Sequence, residues 1–289
     1  MSSALPSLTE ELNLRNHRLS KSHRLIADYI NTHYERAQNM TASALAQAVN
    51  VSESTVVRFA DALGYDGYPE LQRALQHLAR QRMTTDERFR LSSDLEQDDV
   101  LEKVLKEDIN NIRRTISQTD KKAFGEAVGG ITDAKAIYIL GLRSAAPLAQ
   151  FFAYYLNFIF SDVHLVSSEL NDVYESIVRI GRGDVLIGIS FPRYSSRTLE
   201  ALRIARAAGA ATIAITDGDE SPLKPQADIC LTADTKAASF ADSLAAPLSL
   251  INALIAALAL RKKDELHKHL TRMEGIWAEH SVYLGKNGK

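Results

Sequence analysis

The stretch Thr41-Ala42-Ser43-Ala44-Leu45-Ala46-Gln47-Ala48-Val49-Asn50-Val51-Ser52-Glu53-Ser54-Thr55-Val56-Val57-Arg58-Phe59-Ala60 reads as two short helices joined by a tight turn. Thr41 is a good N-cap, and Met40 ahead of it can staple onto Leu45. The device repeats eleven residues on, where Val51 precedes the cap Ser52 and can staple onto Val56. Leu45, Ala48 and Val49 share one face of the first helix; Val56, Phe59, Ala60 and Leu63 share one face of the second. Gly64 closes the second helix as a C-cap. The connection Asn50-Val51-Ser52 has the length of a helix-turn-helix. Ser52, Glu53, Ser54, Thr55 and Arg58 lie opposite the apolar face. Free N–H groups and the helix dipole at Ser52 favour a phosphate, and Ser54, Thr55 and Arg58 are of the types that read base edges in a major groove. Glu53 suits a phosphate poorly but can accept from a cytosine amine. Thr41, Ser52, Glu53, Ser54, Thr55 and Arg58 are therefore the candidate DNA contacts. An ordinary helical bundle with a polar exposed helix fits the same spacing.

Working outward, Arg24 to Asn31 puts Leu25, Ile26, Tyr29 and Ile30 on one helical face, and a fourth helix opens at Pro69 and runs through Leu71, Leu75 and Leu78. Gln81 to Asp98 is polar and reads as a linker. Val100 to Ile116 then carries Val100, Leu101, Val104, Leu105, Ile109, Ile112 and Ile116 at helical spacing. It is long enough to bridge domains or to pair with a second copy of itself.

The rest of the chain alternates. Strands are expected at Ala136–Leu140, Val163–Ser167, Val185–Ser190, Ala211–Thr216 and Ile229–Thr232, and helices at Pro147–Ile159, Leu170–Ile180, Arg197–Ala208 and Ser243–Leu260. This order predicts an all-α helix-turn-helix domain followed by an α/β domain, a parallel sheet of about five strands with helices on both faces. The expected divisions are 1–80 for the helical domain, 81–98 for the linker, 99–132 for connecting helices, 133–262 for the α/β domain and 263–289 for a C-terminal helix and tail.

Composition bounds the function. The 289 residues are 45% hydrophobic and 24% charged, with a net charge of −2. Residues 1–83 hold nine Arg and Lys against eight Asp and Glu, so DNA contact must come from placed residues and not from bulk charge. The single cysteine, Cys230, excludes a disulfide scaffold and fits a reducing cytoplasm. No signal peptide is visible from Met1 to Asn16. Leu244 to Leu260 is apolar but shorter than a membrane span and contains Pro247, Ser249 and Asn252, so a buried core helix is expected. His17, His23, His33, His77, His267 and His269 fall at no metal-ligand spacing, and neither a metal nor a cofactor is expected.

Two loops carry the ligand chemistry. The first strand runs into Gly141-Leu142-Arg143-Ser144-Ala145-Ala146-Pro147, a strand, a glycine turn and a helix start that suit an anion. No G-x-G-x-x-G is present, which argues against a dinucleotide-dependent oxidoreductase. The third strand runs into Ser190-Phe191-Pro192-Arg193-Tyr194-Ser195-Ser196-Arg197-Thr198, rich in hydroxyls and arginines. In open α/β sheets ligands sit outside the strand carboxyl ends, where these loops would meet. Helix caps on two solvated loops are the bland alternative for the serines.

The run Val51 to Phe59, followed by Leu63-Gly64-Tyr65 and Gly67-Tyr68-Pro69-Glu70-Leu71, resembles the N-terminal domain of RpiR-type bacterial transcription regulators. From about Asp133 to Leu260 the chain resembles the SIS (sugar isomerase) domain that such regulators carry. The resemblance implies operator DNA and a phosphorylated sugar or sugar acid as partners, and a homodimer or homotetramer off the membrane. It places Ser144 at the family's first-loop serine, and Ser195-Ser196-Arg197-Thr198 on its Ser-Gly-x-Thr loop with Ser196 in place of glycine. Arg143 stands where a small residue is common, and Phe191-Pro192-Arg193-Tyr194 lengthens the second loop. Ser190 can fill the role given to Ser195. The candidate effector contacts are Gly141, Arg143, Ser144, Ser190, Arg193, Ser195, Ser196, Arg197 and Thr198. A phosphosugar isomerase using the same site is the alternative function, with Glu169, Glu175 or Glu200 as a base that no motif places.

Overall fold

The computed structural model describes residues 19–82, 84–92, 99–167 and 172–284. The readings made on Met1 to Asn16, on His17 and on Glu169 lie outside the described residues, as does much of the expected linker. The chain divides into two compact units, residues 1–96 and 97–289.

The first unit is helical: α1 Lys21–Thr32, a single turn α2 Tyr34–Ala37, α3 Ala42–Ala48, α4 Glu53–Leu63, α5 Gly67–Arg82 and α6 Thr85–Ser92. Its caps follow the sequence. Thr41 Oγ1 accepts from Ala44 N at 3.1 Å, and Ser52 Oγ from Thr55 N at 3.2 Å. Gly64 ends α4 at φ +93°, a conformation free to glycine and strained for other residues. One apolar cluster holds Ile26, Ile30, Leu45, Val56, Phe59, Leu63, Leu71 and Leu75, all buried, with Met40 and Val51 packed at its edge. The helix α6 departs from the expected linker. Thr84 and Glu87 form a reciprocal cap: Glu87 N donates to Thr84 Oγ1 at 3.2 Å and Thr84 N to Glu87 Oε2 at 2.6 Å.

In the second unit α7 Val100–Gln118 and α8 Lys121–Thr132 precede an alternating α/β array. This array is β1 Ile137–Gly141, α9 Ala146–Ile159, β2 Val163–Val166, α10 Val173–Ser176, β3 Val185–Ile189, α11 Ser196–Ala207, β4 Ala211–Thr216, β5 Ile229–Thr232, α12 Ala245–Arg261 and α13 Lys263–Glu279. The five strands are all parallel in the order β2-β1-β3-β4-β5. Strands β1 and β3 are buried throughout, as expected of parallel strands covered on both faces. Ile137, Ile139, Ile187 and Ile213 pack on one side against Phe152, Leu156, Leu250 and Leu254 of α9 and α12. Tyr138, Leu140, Leu186 and Ala214 pack on the other against Ala201, Leu202 and Ala205 of α11.

The helix expected at Leu170–Ile180 shrinks to the single turn α10. Asp172 and Glu175 form a capping box that starts the helix at Val173. After Ser176 the chain turns so that Ile177 and Ile180 enter the core beside α11. Helix α12 buries Leu250, Ile251, Leu254 and Leu258, and among the described residues no single helix is long and apolar enough to cross a membrane.

Helix α7 is inverted. Its buried residues are the polar Asn111 and Thr115, while Leu101, Leu105, Ile109 and Ile116 are exposed. The polar side is tied to the segment after β5. Asn111 Nδ2 donates to Lys236 O at 2.7 Å, Arg114 Nε to Asp234 at 2.5 Å, Asp234 N to Thr115 Oγ1 at 3.0 Å, and Ser243 Oγ to Asp108 at 2.6 Å.

Candidate functional site

In the first unit, α3 and α4 are joined through Val49, Asn50, Val51 and the cap Ser52, with Asn50 at φ +53°, a conformation that asparagine tolerates. The apolar side of α4 is fully used by the core. Thr41, Ser52, Glu53, Ser54 and Arg58 are exposed and Thr55 is half-buried. Ser52 Oγ lies 2.9 Å from Ser54 Oγ and 2.7 Å from Thr55 Oγ1, so these three hydroxyls form one group at the helix N-terminus. Arg58 folds back on them: Nε donates to Ser54 O at 3.2 Å and a terminal nitrogen to Ser54 Oγ at 3.3 Å. Behind this surface His23 meets Phe59 edge-on, and burial, then the Arg58 charge, lowers its pKa. Thr41 and Ser52 thus have cap roles already, and Ser54, Thr55 and Arg58 are the groups with capacity for a partner.

In the second unit the strand order places β1 beside β3, with Gly141 opposite Ile189. Connections from these strands run to opposite sides of the sheet, so a crevice opens at their carboxyl ends. The loop after β1 starts at Gly141. A Cβ there would sit 2.6 Å from Ala145 O and 2.9 Å from Ala149 Cβ, so only glycine lets the chain fold this tightly into the short 3-10 turn Arg143–Ala145 and α9. Arg143 opens that turn at φ +56°, and both it and Ser144 are exposed.

The loop after β3 is built from its own hydroxyls. Ser190 is buried and its Oγ accepts from Ser195 N at 3.1 Å. Ser195 caps α11, its Oγ accepting from Thr198 N at 3.3 Å. Tyr194 donates its hydroxyl to Asp217 at 2.7 Å, tying the loop to the end of β4. Arg193 stands at φ +63°, exposed, and Arg197 faces Asp172 at 3.6 Å. Thr198 Oγ1 is fully buried and has no hydrogen-bond partner among the described residues. An orphaned buried hydroxyl costs about 1–3 kcal/mol unless something completes it, and this one lies in the first turn of α11, at the crevice.

The sequence reading brought these two loops together but missed two features. The Tyr194–Asp217 bond needs the neighbouring β4. Thr235, just past β5, is the other buried hydroxyl without a partner among the described residues. Its place right after a strand was the signal available. Two concavities lie away from the crevice. One of about 390 Å³ is lined by Ile112, Phe124 and Leu250; another of about 590 Å³ includes Lys135, Asp162 and Lys262. Neither contains the residues of the two loops. Among the described residues no group of three or more His, Cys, Asp or Glu could hold a metal ion. Cys230 is partly buried in β5, and burial pushes its thiol up to about 11. Trp277 packs edge-on against Phe158 and Tyr283.

Comparison with known proteins agrees with both halves. Residues 7–81 match the helix-turn-helix domain of the rpiR family, and residues 130–257 match the SIS domain. The HTH-type transcriptional regulator HexR of Escherichia coli is 27% identical over 281 residues, covering 93% of each chain. An uncharacterised HTH-type transcriptional regulator of Caldanaerobacter subterraneus is 27% identical over 253 residues, covering 85% of this chain and 88% of its own. Among solved structures, the sugar isomerase domain of an RpiR transcription factor from Sphaerobacter thermophilus is 27% identical with a TM-score of 0.59, covering 61% of this chain and 98% of that one. The NanR protein of Vibrio vulnificus, solved in complex with ManNAc-6P, shares the fold at 20% identity, with a TM-score of 0.59 over 93% of this chain and 97% of its own. The chain thus carries a helix-turn-helix domain of the rpiR family followed by a SIS domain, the make-up of a DNA-binding transcriptional regulator.

Proposed function

We propose that this regulator binds operator DNA through α4 and senses a phosphorylated sugar or sugar acid at the β1–β3 crevice. Ser52, Ser54, Thr55 and Arg58 form the DNA-reading group, with Thr41 and Glu53 at its margin. Gly141, Arg143, Ser144, Ser190, Arg193, Ser195, Ser196, Arg197 and Thr198 form the effector rim. In this reading residues 1–80 carry DNA recognition and 133–262 carry sensing, and the chain works in the cytoplasm as a homodimer or homotetramer on symmetric half-sites. The observation that carries the proposal is the orphaned Thr198 hydroxyl at a switch-point crevice, on one chain with an exposed hydroxyl-and-arginine surface on α4.

Two measurements test it. Selection of genomic fragments by the full-length protein at physiological salt should enrich one or a few promoters, since non-specific phosphate binding is then suppressed. In the same assay Arg58→Ala should weaken the enriched sites by about 1–3 kcal/mol while the fold is kept, as expected for a lost base contact. Unchanged affinity and sequence preference would move the reading surface elsewhere. Thr198→Val keeps the shape and deletes the orphan. It should leave stability equal or higher and lower the affinity for any sugar phosphate that binds by about 0.5–1.5 kcal/mol; a large loss of stability with intact ligand binding would show that the hydroxyl serves the fold.

The isomerase alternative needs a carboxylate placed to move a proton. Glu175 is held in the capping box with Asp172. Glu200 is paired with Arg203 at 2.6 Å, and that bond holds its carboxyl below the usual range. Both are engaged in local structure, which supports a sensing site without turnover.

A further inference from the structure

We infer that α7 is a self-association surface: its apolar stripe pairs, in parallel, with the same stripe on a second copy of this chain. This rests on the reading of the chain as a homo-oligomer and names the surface that joins the copies.

The first observation is an apolar stripe left in water. Leu101, Leu105, Ile109 and Ile116 are 72%, 53%, 48% and 73% exposed. With the half-buried Ile112 between the last two, they recur every three or four residues and so share one side of α7. The bonds that seat the helix leave from another side, through Asn111, Arg114 and Thr115. A contiguous apolar surface that folding leaves exposed marks a place of association. The second observation is a hole beside the stripe. The concavity of about 390 Å³ between α7, α8 and α12 is lined by Ile112, Ile116, Phe124, Leu250 and Ala253, so it opens onto the stripe itself. Knob and hole on one patch are what a two-fold interface requires, because there a surface meets its own copy. In a parallel, in-register pair the partner's Ile116 comes level with this hole.

Charge sets the direction. From Leu105 to Ile116 the spacing is that of a coiled-coil seam, with Leu105 and Ile112 at one seam position and Ile109 and Ile116 at the other. Asp108 and Arg113 flank this seam on its two sides, five residues apart, the pair of positions that meet across a parallel coiled coil. Each Asp108 then faces the partner's Arg113. Asp108 accepts from the Ser243 hydroxyl at 2.6 Å and keeps lone pairs for a second donor. Arg113 is exposed. An antiparallel pair centred on Ile109 would instead set Lys106 beside the partner's Arg113, two like charges. Parallel chains also enter the pair at the same end, that of Val100, where each is joined to its helical unit. Two copies of the DNA-reading helix are thus tethered together, as symmetric half-sites ask.

The test is the mass of the full-length protein in solution, by sedimentation equilibrium over a concentration series. The unaltered chain should be a dimer or a tetramer. Leu105→Lys and Ile109→Lys set like charges face to face on the seam and should each halve that mass, raising the dissociation constant about a hundredfold or more. Both side chains already reach water in the single chain, so the helical circular dichroism should be kept. Direction is read with cysteines in a Cys230→Ala background. Leu105→Cys should link two copies on mild oxidation, because each seam residue of a parallel pair faces its own counterpart. Lys103→Cys, on the far side of α7, should not. If the lysine variants lose their helical signal, the Leu105→Cys link decides alone. An unchanged mass in both lysine variants overturns the inference and leaves a homo-oligomer joined elsewhere. A link at Ile109→Cys without one at Leu105→Cys marks an antiparallel pair and overturns it too, as does a lysine variant that keeps its mass and melts lower, which shows the stripe covered within its own chain. A monomeric unaltered chain removes the homo-oligomer reading and the inference together.

Discussion

Phe59→Ala should destabilise the helical unit by about 3–5 kcal/mol, the range for emptying a buried aromatic position. Phe59 is fully buried at the centre of a cluster built from α1, α3, α4 and α5. The effect is large because the unit is small. At roughly 0.05–0.15 kcal/mol per residue, a unit of this size has little more than that to lose. The sole tryptophan, Trp277, lies in the other unit, so tryptophan fluorescence reports on the α/β half alone. In a denaturant titration of the full-length chain, the helical circular dichroism should show a first transition at much lower denaturant, while the fluorescence transition stays in place. Specific DNA binding should vanish at temperatures where that first transition has occurred. A shift of both transitions together would mean that the two units do not unfold independently.

Gly141→Ala should have the second largest effect. A methyl at this position has no room, with Ala145 O at 2.6 Å and Ala149 Cβ at 2.9 Å, and neither neighbour is a flexible side-chain end. The turn 143–145 and the start of α9 must move. Overpacking of this kind costs about 1–3 kcal/mol in stability. The larger consequence falls on effector binding, because the displaced backbone carries Arg143 and Ser144; an ångström of misplacement is enough to cost on the order of a hundredfold in a preorganised site. Gly125→Ala is the control. It lies on α8 with nothing within 4 Å of the added carbon, so alanine there should be neutral or stabilising by up to about 1 kcal/mol. Sugar-phosphate affinity equal to wild type in the Gly141 variant would place the ligand away from the β1 loop.

Much of this was legible because it is local. The caps Thr41, Ser52 and Gly64 are chemical signals read within one helical turn, and they set α3 and α4 closely. Strand β4 begins and ends where its apolar run does, since a strand buried on both faces has no alternation to blur its edges; the short edge strand β5 also keeps the bounds of its apolar run. The α6 helix was readable too. Thr84 and Glu87 have capping-box spacing, but the polarity of the surrounding stretch outweighed it. Other features are not local. The strand order depends on which strands pair, and that pairing is what puts Arg143 and Arg193 on neighbouring loops. The positive φ of both arginines is imposed by the loops, against the residues' own preference. Periodicity found the apolar stripe of α7 but could not say which face is covered; the partners of its polar face lie more than a hundred residues downstream.

That inverted helix has a consequence for the order of synthesis. The hydrogen bonds that seat α7 reach Asp234, Lys236 and Ser243, so the helix has nowhere to dock until β5 has left the ribosome. The cluster of the helical unit, by contrast, draws only on residues up to Leu78. Domains fold as units from the N-terminus as the chain emerges, and contacts of long sequence separation form late. The DNA-binding half should thus be complete while α7 still trails behind it undocked, its polar face at Asn111, Arg114 and Thr115 without its partners for the time it takes to add more than a hundred residues.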